Sequence, residues 1–464
     1  MTKTYVITTA QRGAKPNAAF LRSLQTYCAH NNAELLILPT NGANPTSTRE
    51  KDKEELDPAF EKDCNIVLGD YKINNKLYIR DFPVKAQQMI PITSWGRFVQ
   101  YDKSAIMASP KLMLKCYANS NQDLPKILMS TGAVTEPNYK DNSWGMKARL
   151  DHRYAAIVVN VQSDVKFHYR QLYAGTNGVF YDLGVKYDGE NEPVKEQVLA
   201  LVMGDVHVGF TDPGVLEATH RLMDEVNPRH IFYHDICDAY SINHHHLKDV
   251  LLQARKARDG KDSLEAELHG VGNFIADQVA RAPEAKHIVV KSNHDEAVLR
   301  YLQERRFGDD PRNLYLACEL VRAAIDDKHD PLEVGVRKAF GELPSQVKFL
   351  PIHKDYKVAG WQLACHGHKG PNGSKASSRG LESAIGRGIV GHFHSPEIFR
   401  DLWVVGTSTY LDLEYNRGSP SNWLQAHALL NPNGKPQLIN FIEGEYKAPN
   451  SDKKSQSARV KKAA

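Results

Sequence analysis

The chain has 464 residues, a formal net charge of +4, 41% hydrophobic and 25% charged residues, and 23 prolines spread throughout. That length is roughly three times the usual single-domain size, so two domains are expected, and such a chain can bury a sizeable core. The small charge excess argues against a generally basic nucleic-acid binder, although a local basic groove would not show in the total. The six cysteines are scattered and form no Cys-x-x-Cys pair, which points to a reducing compartment rather than a disulfide scaffold. The N-terminus carries no apolar run of signal-peptide length, and no stretch approaches the ~18–20 apolar residues of a membrane span. A soluble protein without membrane contact, acting where it is made, is expected.

Residues 1–40 read as one β-α-β pass. Thr4–Thr9 is a strand, Asn17–Asn31 has apolar residues at Ala19, Phe20, Leu24 and Tyr27 in helical spacing, and Glu34–Leu38 is a second strand. Residues 41–62 are polar and rich in Lys, Glu and Pro, as in a surface loop. Residues 63–190 hold short β-type runs, among them Lys76–Arg80, Tyr154–Val161, Phe167–Tyr173 and Val179–Tyr187, and no chemical motif. A turn-rich boundary follows at 188–193. The pattern then changes to alternation: strands at 198–203, 230–233 and 287–291, with helices at 215–226, 243–258, 263–281, 295–305, 313–326 and 331–340. Further strands follow near 347–352, 360–365, 388–391, 397–399, 403–405, 423–430 and 436–442, as a second layer. Alternation of this kind implies an α/β fold with helices on sheet faces, and ligands beyond the carboxyl ends of the strands. Residues 447–464 are basic, without apolar periodicity, and are expected to be a disordered tail. The divisions expected are 1–190, 191–446 and 447–464.

All of the 20 histidines except His30, His152 and His168 fall between positions 207 and 427. Five clusters there sit at strand ends: Gly204-Asp205-Val206-His207, His234-Asp235-Ile236-Cys237-Asp238, Ser292-Asn293-His294-Asp295, Cys365-His366-Gly367-His368 and Gly391-His392-Phe393-His394. Carboxylate, imidazole and amide oxygen are ligands for divalent transition metals, and two such ions about 3.5–4 Å apart hydrolyse phosphate esters. Cys237 and Cys365 read as small buried neighbours of the site.

The order of these motifs resembles the calcineurin-like metallophosphoesterases, a superfamily that includes nucleases, over residues 197–445. His234 and Ser292 stand where that family usually has glycine. Flanking segments, among them Thr8–Gln11, Phe20–Leu24, Ala33–Pro39, Ser130–Thr135, Tyr240–Leu247, Gly406–Ser408 and Asn431–Gly434, extend a closer resemblance to phage-encoded metallophosphoesterases over nearly the whole chain.

The resemblance implies a four-layer α-β-β-α sandwich with an additional N-terminal α+β domain, and two divalent cations, Mn²⁺ first with Fe or Zn as alternatives. It implies one metal held by Asp205, His207, Asp235 and His394. The other is implied to lie with Asp235, Asn293, His366 and His392, so that Asp235 bridges. His366 is favoured over His368 because it lies closer to the apolar strand before it. A metal-bridging hydroxide would attack phosphorus. His294 would serve the leaving oxygen as catalytic acid, with Asp295 orienting its ring. Candidate substrate contacts are His244 and His245, at the start of a helix, and Lys369, Lys375 and Arg379, in a basic Gly/Ser loop. Arg300, Arg305 and Arg306 read as a solvated face. The implied activity is a DNA nuclease degrading host DNA in the cytoplasm of an infected bacterium, with DNA as partner and a homo-oligomer, dimeric or higher, as an option. Alternatives are a phosphatase or phosphodiesterase acting on a nucleotide or phosphoprotein, and a non-catalytic protein that binds a host factor.

Overall fold

The computed structural model describes residues 2–40, 55–61, 64–120, 124–326, 330–352, 354–414 and 416–448. Most of the loop expected at 41–62, and the basic tail from 449 onward, lie outside the described residues. The molecule is mixed α/β, with several sheets.

A six-stranded sheet runs in the order Val347–Phe349, Lys286–Val289, His230–Tyr233, Ala200–Val202, Ala426–Leu430, Pro436–Asn440. Its first four strands are parallel and the last two antiparallel. The parallel strands are short apolar runs buried on both faces, as such sheets require. One face, with Leu201, Met203, Ile231, Tyr233 and Val289, packs on Leu222 of helix Pro213–Val226 and on Leu268 and Ile275 of helix Leu264–Arg281. These helices begin where sequence chemistry says they should. Asp212 caps the first by accepting from Gly214 and Val215, with Pro213 in its first turn, and Ser263 caps the second.

The opposite face, with Val202, Phe232, Ile288 and Ala428, meets Trp361, Ile389, Trp403 and Val405 of a second sheet. This sheet has ten strands: Lys357–Val358, Trp361–Gln362, Gly388–Val390, Leu402–Val404, Glu397–Phe399, Ser109–Tyr117, Lys126–Gly132, Ser104–Met107, Leu77–Arg80 and Tyr71–Lys72, in that order. It draws strands from both sides of residue 190, joined where Ile398 pairs antiparallel with Leu114. Helix Ser378–Ile385 lies on its outer face through Leu381.

The first β-α-β pass forms as expected. Strands Lys3–Gln11 and Ala33–Thr40 pair in parallel within a five-stranded sheet, and helix Ala18–Asn31 buries Phe20, Leu24 and Tyr27. The run expected as one strand at 179–187 is a hairpin, Phe180–Asp182 with Val185–Tyr187, because Leu183 and Gly184 both take positive φ. The helix expected over 243–258 is broken. Asn243 caps a single turn at His244–His246, and Asp249 caps a separate helix Val250–Arg258. Each Asn or Asp competes for backbone donors and ends the preceding segment. No helix among the described residues is long and apolar enough to cross a membrane.

Candidate metal centre

The strands Ala200–Val202, His230–Tyr233 and Lys286–Val289 are neighbours in one sheet, so the loops after them emerge side by side. Backbone bonds continue beyond the strands: Val206 N donates to His234 O (2.9 Å) and His207 N to Asp235 O (2.7 Å). That locks Asp205, His207 and Asp235 into one layer. The facing sheet supplies the rest. Gly388–Val390 runs into His392 and His394, and Gly391 N donates to His366 O (2.9 Å).

Asp205, His207, Asp235 and His394 are all buried, and each offers one ligand atom within 4.8 Å of the others. His394 Nε2 is 3.1 Å from Asp205 Oδ2, His207 Nε2 3.5 Å from Asp235 Oδ2, and the two imidazole Nε2 atoms are 3.3 Å apart. Ligands about 2.0–2.2 Å from a cation stand about 3.0–3.5 Å from each other, so these separations are edges of a coordination shell. On the other side of Asp235, His366 Nε2 is 3.3 Å from the same Oδ2 and 3.1 Å from Asn293 Oδ1. The His392 ring lies 5.3 Å from that of His366, and its backbone N donates to Asp205 Oδ2 (2.8 Å). His366, not His368, reaches Asp235; His368 sits 3.8 Å from Glu296.

Three features show that the residues suit a cation. Asp205 Oδ1, Asp235 Oδ1 and His394 Nδ1 are buried and make no hydrogen bond among the described residues, although buried polar atoms ordinarily find partners. His207, Asp235, His392 and His394 all hold left-handed φ, at 45°, 46°, 76° and 54°. Such strain in non-glycine residues costs on the order of 1–3 kcal/mol each and concentrates at functional sites. Gly391 leaves room for a carboxylate: a Cβ there would stand 2.2 Å from Asp205 Oδ1. The group could hold a metal ion.

The electrostatics agree. Burial would lower the His207 imidazole, but Asp238, Asp235 and Asp205 raise it to about 9. His366 is also raised, against burial, by Asp235 and Asp205. Burial, followed by the charge of His366, lowers His392 to about 4, leaving a neutral ligand. Without a cation, the proton on His207 helps to balance the carboxylates.

His234 accepts a side chain where the resembled family has glycine. Its φ is not positive, its ring lies 5.4 Å from His366, and its Nε2 is buried without a hydrogen bond among the described residues. Ser292 Oγ accepts from Asp295 N (3.0 Å), which tightens the turn.

Around the centre the expectations divide. His294 is at the rim, its side chain 28% exposed and its ring edge-on to His207 at 4.6 Å. Its partner is not Asp295. His294 Nδ1 lies 2.9 Å from the Asp238 carbonyl and 3.5 Å from that residue's carboxylate. Asp295 is buried on the far side, where Oδ1 accepts from Cys237 N (3.1 Å). Adjacent residues on a tight turn point apart, so neighbours in sequence are not a relay. Burial pushes the Asp295 carboxyl up to about 6.

His245 and His246 line a cavity beside His294, and His244 stacks on His245 at 3.8 Å. Lys369, Lys375 and Arg379 are exposed and stand outside that cavity. Lys369 pairs with Glu296 (2.8 Å), and Arg379 lies on helix Ser378–Ile385, capped by Ser377. Arg306 is not on a solvated face; it is half-buried and holds Ile242 O.

Two residues beside the centre were given no role in the sequence reading. Asp238 Oδ1 bonds His207 Nδ1 at 2.7 Å, the carboxylate–histidine support common behind metal ligands. The spacing Asp235-x-x-Asp238 was the signal for it. Trp423 packs its ring edge-on to His394 at 4.2 Å, and nothing in its local sequence marks it.

No protein-family model matches the chain. The chain is similar to Protein A1 of Escherichia phage T5, with 29% identity over 468 residues that span 96% of this chain and 83% of the relative. A likeness at this level along nearly the whole length relates the chain to a T5-type phage protein.

Proposed function

We propose that the protein is a two-metal phosphodiesterase of the calcineurin-like metallophosphoesterase type, acting as a nuclease on DNA in the bacterium that its phage infects. One observation carries the reading. Buried Asp205, His207, Asp235 and His394 converge, with His366 and Asn293 on the other side of the same Asp235 oxygen. The sheet pair with helices on both outer faces fits the four-layer sandwich of that superfamily, and the phage relationship fits a role in host takeover.

In this reading Asp205, His207, Asp235 and His394 hold one cation, and Asp235, Asn293, His366 and His392 the other. Mixed nitrogen and oxygen ligands suit Mn²⁺, Fe or Zn over Mg²⁺ or Ca²⁺. Two such ions supply Lewis acidity toward the phosphate and a water of lowered pKa. The anionic Asp235, shared by both sets of residues, would offset the repulsion of two cations, while neutral imidazoles would leave net positive charge for a phosphodiester. His294 Nδ1–H donates to the Asp238 carbonyl, which turns the other ring nitrogen to the substrate; as imidazolium, with a hydrogen on both nitrogens, the ring would give the outer proton to the leaving oxygen and remain as the neutral Nδ1–H form. Asp238 thus positions His207 and His294 together.

Purified protein is incubated with duplex DNA, single-stranded DNA and p-nitrophenyl phosphate, with Mn²⁺ or with EDTA. DNA loss that needs Mn²⁺ and fails in His294→Ala is the expected result. Turnover of the small ester alone would replace the nuclease by a phosphatase. Bound metal without any turnover would leave a binding role.

A further inference from the structure

The cleft beside His294 lies outside the group Asp205, His207, Asp235 and His394; at its inner end Asp238 and His294 stand with His207 close enough to hold a cation, and the rest of its wall is of another kind. It is a cavity of about 680 Å³, and both Asp238 and His294 line it, so it opens onto the metal centre. That size suits a small organic group rather than a protein segment. Its wall is aromatic. Phe210 and Tyr240 meet edge to face at 5.1 Å, and the His246 ring packs edge-on to Tyr240 at 5.0 Å. Phe210 and Tyr240 are both half-buried and both line the cavity.

The platform is held firmly from behind. Glu267 accepts from Tyr240 N (2.8 Å) and Ser241 N (3.0 Å). Lys256 Nζ donates to Tyr240 O (2.7 Å) and Ser241 O (2.9 Å), and lies 4.9 Å from the Tyr240 ring centroid. Tyr240 OH donates to Glu414 (3.0 Å). The cleft carries no excess of positive charge: Arg255 and Arg417 line it together with Asp238, Asp249 and Glu414. A polyanion gains little there, whereas a flat, neutral, polar ring gains stacking from the aromatic wall and hydrogen bonds from its rim.

We propose that this cleft receives the unpaired base of the nucleotide adjoining the phosphate bound at the metal centre, an inference that rests on the nuclease reading. Phe210 and Tyr240 form the stacking wall, and Arg255 closes over the base edge. A base still paired in a duplex brings its partner strand with it, so the base must leave the helix to enter. Single strands and frayed ends are therefore the substrates this cleft selects.

Two base-free ligands provide the comparison. With Mn²⁺, kcat/KM is measured for thymidine 5′-(p-nitrophenyl phosphate) and for methyl p-nitrophenyl phosphate, which has the same leaving group and no second ring. Separately, thymidine 5′-monophosphate and inorganic phosphate are titrated into the same protein. Loss of one base–aromatic stack corresponds to roughly tenfold. The ratio of nucleoside to base-free substrate, and of nucleotide to phosphate affinity, should each fall by roughly that factor in Phe210→Ala and several-fold in Arg255→Ala. Arg255 is exposed, so its variant tests the cleft without disturbing the core. Ratios equal in the wild type and both variants would overturn the proposal. If neither ester is cleaved, the nuclease reading is decided separately by Mn²⁺-dependent DNA loss, and the titration alone decides the cleft: a preference for the nucleotide that Phe210→Ala removes supports it, and equal affinities overturn it.

Discussion

Two buried clusters of charge stand in different halves of this protein, and they differ in how completely they are paired. In the first, Asp182 Oδ1 accepts from Arg170 Nε (2.6 Å) and Gln437 Nε2 (3.0 Å), while Oδ2 accepts from Arg170 Nη2 (2.8 Å) and Tyr27 OH (2.8 Å). Every oxygen lone pair has a donor, and the group ties helix Ala18–Asn31 to strands of three sheets. In the second, Asp205 and Asp235 each keep a buried oxygen with no hydrogen bond among the described residues, and four residues hold strained backbone. Full satisfaction marks a scaffold, and incompleteness marks a site that binds something.

The largest test of this contrast is Asp235→Asn. It removes the carboxylate shared by both halves of the centre, so Mn²⁺-dependent DNA hydrolysis should fall to the level of EDTA-treated protein, with metal content by elemental analysis falling alongside. Asp182→Ala should do the reverse. Leaving Arg170 buried without its partner costs about 3–5 kcal/mol of stability, read as a lower midpoint in urea, while metal bound per folded molecule stays the same. If Asp182→Ala also lost its metal, the two clusters would not be independent.

Proton linkage separates them next. The His207 imidazole, raised to about 9 by the surrounding carboxylates, lies above its unfolded value near 6.5. Its contribution to the metal-free fold is therefore complete below pH ~6.5 and is lost as pH rises toward 9. Denaturation in EDTA should show a loss on the order of 3 kcal/mol over that window. Metal affinity should move oppositely, tightening as pH rises, because the cation displaces those protons. A flat stability profile in EDTA would show that the carboxylates are not balanced by His207. The smallest effect is expected from Asp238→Asn, which weakens the support behind His207. Metal affinity should drop about 10–100-fold, with no loss of secondary structure by circular dichroism.

Much of the centre was legible in the sequence because its residues sit directly after apolar strands. The apolar run His230–Tyr233 is an interior strand of its sheet, so Asp235 had to lie just beyond that strand's carboxyl end. The choice of His366 over His368 followed from the same placement. The role given to Asp295 did not survive, because neighbouring side chains on a turn diverge, and the orienting groups came from Asp238. The basic loop after His366 does not line the cavity beside His294: Lys369 pairs with Glu296, and Lys375 and Arg379 are exposed. The helix expected over 243–258 breaks at Asp249, whose side chain caps Val250–Arg258 and is an N-cap signal already present in the sequence.

Local chemistry alone determined the strand-helix alternation, the helix starts at Asp212 and Ser263, and the types of ligand available, since each depends on residues a few positions apart. Only the tertiary structure decided that strand Ser109–Tyr117 continues the sheet of Glu397–Phe399 across residue 190, that Trp423 packs on His394, and that Phe210, Tyr240 and Arg255 wall one cleft. Those contacts join residues far apart in the chain, and what selects them is the burial of apolar faces and the pairing of backbone groups, which no short window of sequence contains.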